Sequence, residues 1–275
     1  FFTLRNSRQL DGERLVIFVF FPAALCSVFQ VLGGVLHILH NNPCHLEVCV
    51  DSWPTFSTAI CYRQKQVYSM VIPDICTAFT KNPQTLRRLL VNERVVNWSH
   101  GLTFRGTSLV YSVIGVVYLY SCRVAPCSIF WQYNKDFILK VLPLPVSILD
   151  ESHAELVDRH LPYGGSQQSL NHVKACVRHL PNHCVTDETG RPVSWMLSDE
   201  LCELRMAYTL PEHRRAGHLL VLSLTLIQRM RSLGLPVYCH VNQQNQATIK
   251  AVTALGFSAC SDTETMSVLL IFHYK

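Results

Sequence analysis

The stretch from Cys202 to Phe257 leaves the fewest ways to fold, because it spells strand, glycine turn, long helix, strand and helix in one run. Residues 203–210 (E-L-R-M-A-Y-T-L) alternate, setting Leu204, Met206, Tyr208 and Leu210 on one face and Glu203, Arg205 and Thr209 on the other. Pro211 ends that ladder, having no N–H to donate. Beyond the turn Glu212–Gly217, the residues Leu219, Leu222, Leu226, Met230 and Leu233 recur at three and four positions, which is one face of an amphipathic helix. Gly234 and Pro236 stop it. Pro236–Val241 predicts a second strand, and Asn245–Leu255 a second helix ending at Gly256.

The turn carries the chemistry. A helix start has unpaired backbone N–H groups and the positive end of a dipole, so it binds phosphate. Gly217 lets a ligand approach the backbone, and Arg214 and Arg215 add charge. The expected contacts are Arg214, Arg215, Ala216, Gly217, His218 and Leu219. No G-K-[ST] follows, which excludes a nucleoside-triphosphate loop, and the spaced glycines of a dinucleotide fingerprint are absent.

Composition narrows the ligand. With 275 residues, 49% hydrophobic and only 16% charged, the chain can bury a large core in one or two domains. A net charge of +5 from dispersed Lys and Arg suits a small polyanion and lacks the basic stripe of a nucleic-acid binder. Twelve cysteines without C-x-x-C, and without Cys/His spacing for zinc, predict free buried thiols and no metal.

The remaining chain reads as mixed α+β. Residues 1–14 look frayed, and the chain opens on Phe1, so no targeting peptide is read from it. The uncharged run Leu15–Leu36 could span a bilayer, but Pro22, Gln30 and Gly33-Gly34 favour a buried strand–turn–strand. Val35–Tyr62 reads as short strands of a meander, Asn82–Asn97 as a helix and Leu109–Cys122 as a buried strand. Leu142–Val146 marks a boundary between residues 1–143 and 144–275. Then come helices at Asp150–His160, capped by Asp150, and at Ser166–Leu180, and a hairpin of Cys184–Asp187 with Pro192–Ser198.

R-x-x-G-x-L between such a strand and helix resembles the acyl-CoA pyrophosphate loop of the GNAT acyltransferase superfamily. The pieces V-x-V-D-S-W-P (48–54), R-Q-K-Q (63–66), N-P-Q-T (82–85), V-N-W (96–98), S-H-A-E-L-V (152–157), G-G (164–165), P-V-S-W (192–195), C-E-L-R-M-A-Y-T-L-P-E-H-R-R (202–215) and P-V-Y-C-H-V (236–241) are similar to the glycine N-acyltransferase family. The resemblance implies a GNAT fold, a mixed central sheet flanked by helices, in residues 144–275, after a family-specific α/β domain. It implies acyl transfer from acyl-CoA, a co-substrate and not a resident cofactor, to the amine of glycine or a similar amino acid. It also implies a mitochondrial monomer, with the cytoplasm or the endoplasmic reticulum as the alternative compartment; no nucleic-acid partner is expected.

Residue by residue, the resemblance makes Glu203 the general base, its pKa raised by partial burial. It implies that the backbone of Tyr208, Thr209 and Leu210 pairs with the pantetheine arm, one freed N–H polarising the thioester. Asn245 would reach the pantetheine, and Arg205 would hold the acceptor's carboxylate. The residues alone also allow a solvent-facing glutamate, a surface arginine and a helix cap. Many GNAT enzymes place a tyrosine seven residues after the asparagine, where this chain has Val252. Cys202 and Cys239 adjoin Glu203 and His240, but strand neighbours face opposite ways, which favours direct transfer in a ternary complex over a covalent intermediate. Ser166-Gln167-Gln168, Val67–Ile75, residues 104–133 and Ser258–Lys275 depart from the family's pattern. They leave a non-catalytic acyl-CoA-binding relative as the alternative.

Overall fold

A computed structural model describes residues 2–4, 28–64, 74–92, 95, 102–107, 110, 113, 122–132, 144–260 and 265–270. The first part of the chain forms β1 (Phe2–Leu4), α1 (Val28–Leu39), β2 (Leu46–Val50), β3 (Thr58–Arg63), β4 (Asp74–Thr80), α2 (Pro83–Val91), β5 (Leu102–Thr107) and β6 (Cys122–Trp131). β1 to β4 run as an antiparallel meander, and β5 adds parallel to β4. β2 and most of β3 lie in the stretch Val35–Tyr62 expected to form one, whereas Val35–Leu39 belong to α1, and β1 and β4 lie outside it. Asn82 caps α2 by accepting from the Gln84 and Thr85 N–H groups, with Pro83 in the first turn.

The second part forms β7 (Val146–Ser147), a 3-10 turn (Glu151–His153), α3 (Ala154–Arg159), α4 (Gln167–His179), β8 (Asn182–Thr186), β9 (Pro192–Ser198), β10 (Leu204–Thr209), α5 (His218–Ser232), β11 (Tyr238–Asn242), α6 (Gln246–Ala254), β12 (Ser258–Ala259) and β13 (Thr265–Leu270). β7 to β10 make an antiparallel four-stranded sheet. The later strands join the larger sheet, where β13 lies between β5 and β6, and β11 and β12 pair with β6. A single parallel bridge, Glu203 to Tyr238, ties β10 to β11. One apolar core runs under both sheets, from Val35 and Leu46 to Trp195, Leu222 and Tyr238.

Several expectations are corrected. Phe2–Leu4 is a strand on β2 and not a frayed end. Val28–Leu39 is a helix, not a strand–turn–strand. Val31, Val35 and Ile38 fall on its buried side at helical spacing, a period hidden by the uniform apolarity of the run. A Cβ on Gly33 would lie 1.9 Å from the Leu201 carbonyl oxygen, so glycine lets this helix press on the turn before β10. Val110 and Val113 are helical where a strand is predicted, and α2 stops at Asn92, short of Asn97. No described helix is long and apolar enough to cross a membrane. Residues 15–27, 65–73, 96–98 and 114–121, which also carry expectations, lie outside the described residues.

Candidate active site

The turn before α5 is built as the sequence suggests. Pro211–His213 make a 3-10 turn, Arg215 has φ 68° and Gly217 caps the helix at φ 77°. The first bond of α5 runs from the Val221 N–H to the Gly217 carbonyl, and among the described residues nothing accepts from the N–H groups of residues 215–220. Arg215, Ala216 and Gly217 are exposed, with Leu219 half-buried. Arg214 points the other way: its Nε donates to the Thr209 carbonyl at 3.1 Å, and its guanidinium lies 5.5 Å from the Tyr208 ring centre. His218 is buried beside His213, and burial holds its pKa down.

β10 carries a bulge. Arg205 pairs with Leu197 but Tyr208 pairs with Trp195, so one extra residue enters near Met206, whose φ is 53°. The extra residue inverts the predicted alternation. Tyr208 joins the face of Arg205 and stacks on Trp195 at 5.5 Å, with His160 at 4.5 Å, while Thr209 bonds Ser194 across the other face. Leu210 spends its N–H on the Val193 carbonyl, and the Tyr208 carbonyl accepts from Ser194. The backbone of Thr209 therefore faces away from β9, into the gap that opens between β10 and β11 beyond their single bridge.

At the vertex of that gap sits Glu203, only 3% exposed, where partial burial is expected. Its Oε1 accepts from the His240 backbone N–H at 3.1 Å and lies 3.0 Å from His240 Nδ1, an ion-pair separation without hydrogen-bond alignment. Its Oε2 accepts from Arg105 Nη1 at 3.0 Å. The same Nη1 donates to Asp199 Oδ2 at 2.6 Å. Asp199 Oδ1 in turn accepts from the Leu201 and Glu203 N–H groups, both at 2.9 Å, fixing the turn that delivers Glu203. Arg205 stands at the rim, 3.6 Å from Asp199 and 4.0 Å from Glu203.

Two carboxylates share one buried guanidinium, so they cannot both be ionised cheaply. For Glu203, burial pushes the pKa up, but His240 and Arg105 outweigh it and the net direction is down. The expected upward shift is corrected. Asp199 goes the other way, to about 7, because burial and the neighbouring Glu203 and Glu200 overcome Arg105. Glu200, close to Arg63 and His172, is held at about 2 against its burial.

The two cysteines that adjoin Glu203 and His240 are both buried. Cys202 is buried with its Sγ 3.2 Å from His37 Nε2, and burial holds its thiol well up. Cys239 is likewise pushed up by burial. Nine described cysteines are buried thiols outside any disulfide, whereas Cys260 is disulfide-bonded. His172, Cys176 and Glu200 bring three donor atoms within 4.8 Å of one another. His172 Nε2 lies 3.7 Å from Cys176 Sγ and its Nδ1 3.8 Å from Glu200 Oε1, while Arg63 donates to the same Glu200 oxygen at 3.1 Å. Asn245 caps α6 through the Thr248 N–H and lies exposed.

Arg105, Asp199 and His240 escape a reading along the chain. The D-E-L-C-E turn of residues 199–203, with three acids ahead of a strand, is the signal that could have marked Asp199. Nothing local marks Arg105.

Two family models, both described as aralkyl acyl-CoA:amino acid N-acyltransferase, match the chain, one over residues 1–118 and the C-terminal one over 183–265. Human glycine N-acyltransferase-like protein 1 is 28% identical, over 94% of this chain and 94% of its own. Human glycine N-acyltransferase is 29% identical, over 83% and 85%. In fold, an X-ray structure of a Drosophila protein matches with a TM-score of 0.76 at 17% identity, over 97% of each chain. A GCN5-related N-acetyltransferase from Kribbella flavida matches at 0.52 and 12% identity, over 93% of this chain and 97% of its own.

Proposed function

The chain belongs to the aralkyl acyl-CoA:amino acid N-acyltransferase family, and from that premise we propose that it moves an acyl group from acyl-CoA to the amine of glycine or a similar small amino acid, by direct attack in a ternary complex. It is an acyltransferase with acyl-CoA as co-substrate. The observation that carries the finer reading is the gap between β10 and β11, with an anionic carboxylate at its vertex and a turn of unpaired N–H groups leading into α5.

In this reading the diphosphate of coenzyme A rests on the N–H groups of residues 215–220, with Arg215 adding charge and His218 and Leu219 shaping the first turn. The pantetheine arm runs along β10, where the Thr209 N–H is the groove-facing donor and Asn245 the contact from α6. Arg205, at the rim, takes the acceptor's carboxylate. The amine nitrogen forms the new C–N bond while the carbonyl pair moves onto oxygen, stabilised by a backbone N–H of the strand. Glu203, kept ionised by Arg105 and His240, takes the proton from the now acidic nitrogen, directly or through one water. Collapse then breaks the C–S bond, and the thiolate leaves with its electron pair and takes up a proton from water. The buried, raised thiols of Cys202 and Cys239 support direct transfer over an acyl-enzyme. The compartment follows the resemblance alone, mitochondrial, and subcellular fractionation checks it.

A thiol-release assay crossing short and long acyl-CoAs with a panel of amino acids tests the proposal. Release that depends on a small amino acid supports it. Thermal stabilisation by acyl-CoA without release, for every amino acid tried, would reduce the protein to a binder.

A further inference from the structure

One chain of contacts reaches Glu203 from the first part of the sequence. The Thr77 hydroxyl on β4 lies 2.8 Å from Gln30 Oε1, and Gln30 Nε2 lies 3.2 Å from His240 Nε2. Gln30 is buried on α1, with its amide closed between these two partners. An amide N–H₂ facing Nε2 requires a lone pair there, so the uncharged ring must carry its proton on Nδ1. That nitrogen lies 3.0 Å from Glu203 Oε1 and has no hydrogen-bond partner among the described residues. The flipped amide would demand Nε2–H and set the bare Nδ1 lone pair against the carboxylate. In a buried site two facing acceptors are repulsive.

We propose that Gln30, oriented by Thr77, is a positioning residue for the reaction: it locks His240 in the tautomer whose Nδ1–H faces Glu203. The proposal rests on Glu203 being the general base. Gln30 turns the Nδ1–H edge of the ring toward Oε1, which already accepts from the His240 backbone N–H, while Arg105 donates to Oε2; the ring's orientation and Arg105 both come from the first part of the chain. The other titratable and charged groups around Glu203 are Asp199 in the turn, Arg205 on β10, Cys127 on β6, and Tyr238 and Cys239 on β11. None of these contacts His240 Nε2; among the described residues Gln30 is the group that does.

The test has two readouts. Nitrogen-15 NMR of histidine-labelled protein without substrates reports the tautomer directly, and needs no activity. An Nδ1–H ring at His240, lost on Gln30→Met, is expected. An Nε2–H or doubly protonated ring in the wild type would overturn the assignment. In steady-state kinetics at saturating substrates, Gln30→Met should lower kcat about tenfold, leave both KM values unchanged, and move the acidic limb of the kcat–pH profile to higher pH. The milder Thr77→Val should shift both in the same direction, and serves if Gln30→Met does not fold. An unchanged profile in the folded variants overturns the catalytic consequence. An Nδ1–H ring together with full activity in Glu203→Gln would instead remove the general-base reading on which the proposal stands.

Discussion

The turn at residues 211–220 and the carboxylate cluster at residues 199–203 lie at opposite ends of one strand and are built on opposite principles. The turn is mostly exposed, local and made mostly of backbone, and the N–H groups of residues 215–220 have no acceptor among the described residues. The cluster is buried, non-local and made of side chains, and nearly every oxygen in it is taken. A ligand must find the first open, whereas the second must hold a fixed charge pattern when a proton arrives. Binding can use groups that water satisfies in the free protein. Chemistry requires preorganised ones.

That contrast is broken most easily at Arg105. Arg105→Met strands Asp199 and Glu203 without their shared cation, and should cost about 3–5 kcal/mol in chemical denaturation. A loss below about 1 kcal/mol, the range of a surface pair, would mean the cluster does not hold the two parts of the chain together. Gly33→Ala tests the same contact by shape: the added methyl meets the Leu201 carbonyl, and a loss of about 1–3 kcal/mol is expected.

Asp199 sharpens the comparison through pH. Its folded pKa of about 7 lies above its ordinary 3.8, so its stabilising contribution is complete below about pH 4 and is lost as pH rises through 7. Glu200 has the opposite sign, its contribution being present above about pH 4.5 and lost as pH falls toward 2. His37, lowered to about 4 by burial, also favours the folded state as pH rises toward 6.5. The readout is therefore the difference between wild type and Asp199→Asn. Wild type should lose stability relative to the variant by up to about 1.4 kcal/mol per pH unit between pH 4.5 and 7. A flat difference would show that Asp199 does not hold the cluster's proton. At the exposed end the effects are smaller: Asn245→Ala should cost about 1 kcal/mol through the lost cap of α6, read as a lower Tm.

What the chain discloses in advance follows the same divide. The turn is legible because Arg214, Arg215 and Gly217 sit within four residues of one another, and Asn82, Asp150, Ser166 and Asn245 announce their helices by local bonds. The cluster is not, because Arg105 reaches Glu203 across 98 positions and Gln30 reaches the neighbouring His240 across 210. Glu203 is marked by resemblance alone, and the direction of its pKa is set by His240 and Arg105, which no local pattern brings to it. The bulge at Met206 escapes a period-two reading, since one residue with positive φ is enough to invert every face beyond it. Helix α1 hides for another reason: an almost wholly apolar run has no polar face to show its period.

The sharpest single measurement is steady-state kinetics of Glu203→Gln and Arg215→Ala side by side, with acyl-CoA varied at saturating acceptor. Glu203→Gln should lower kcat by about 10²–10⁴ near neutral pH, with partial recovery in alkali and little change in KM. Arg215→Ala should raise KM for acyl-CoA by about tenfold, the worth of a charge-assisted hydrogen bond, and spare kcat. If both substitutions moved the same parameter, or Glu203→Gln turned over like the wild type, the division of labour between the buried cluster and the open turn would be wrong.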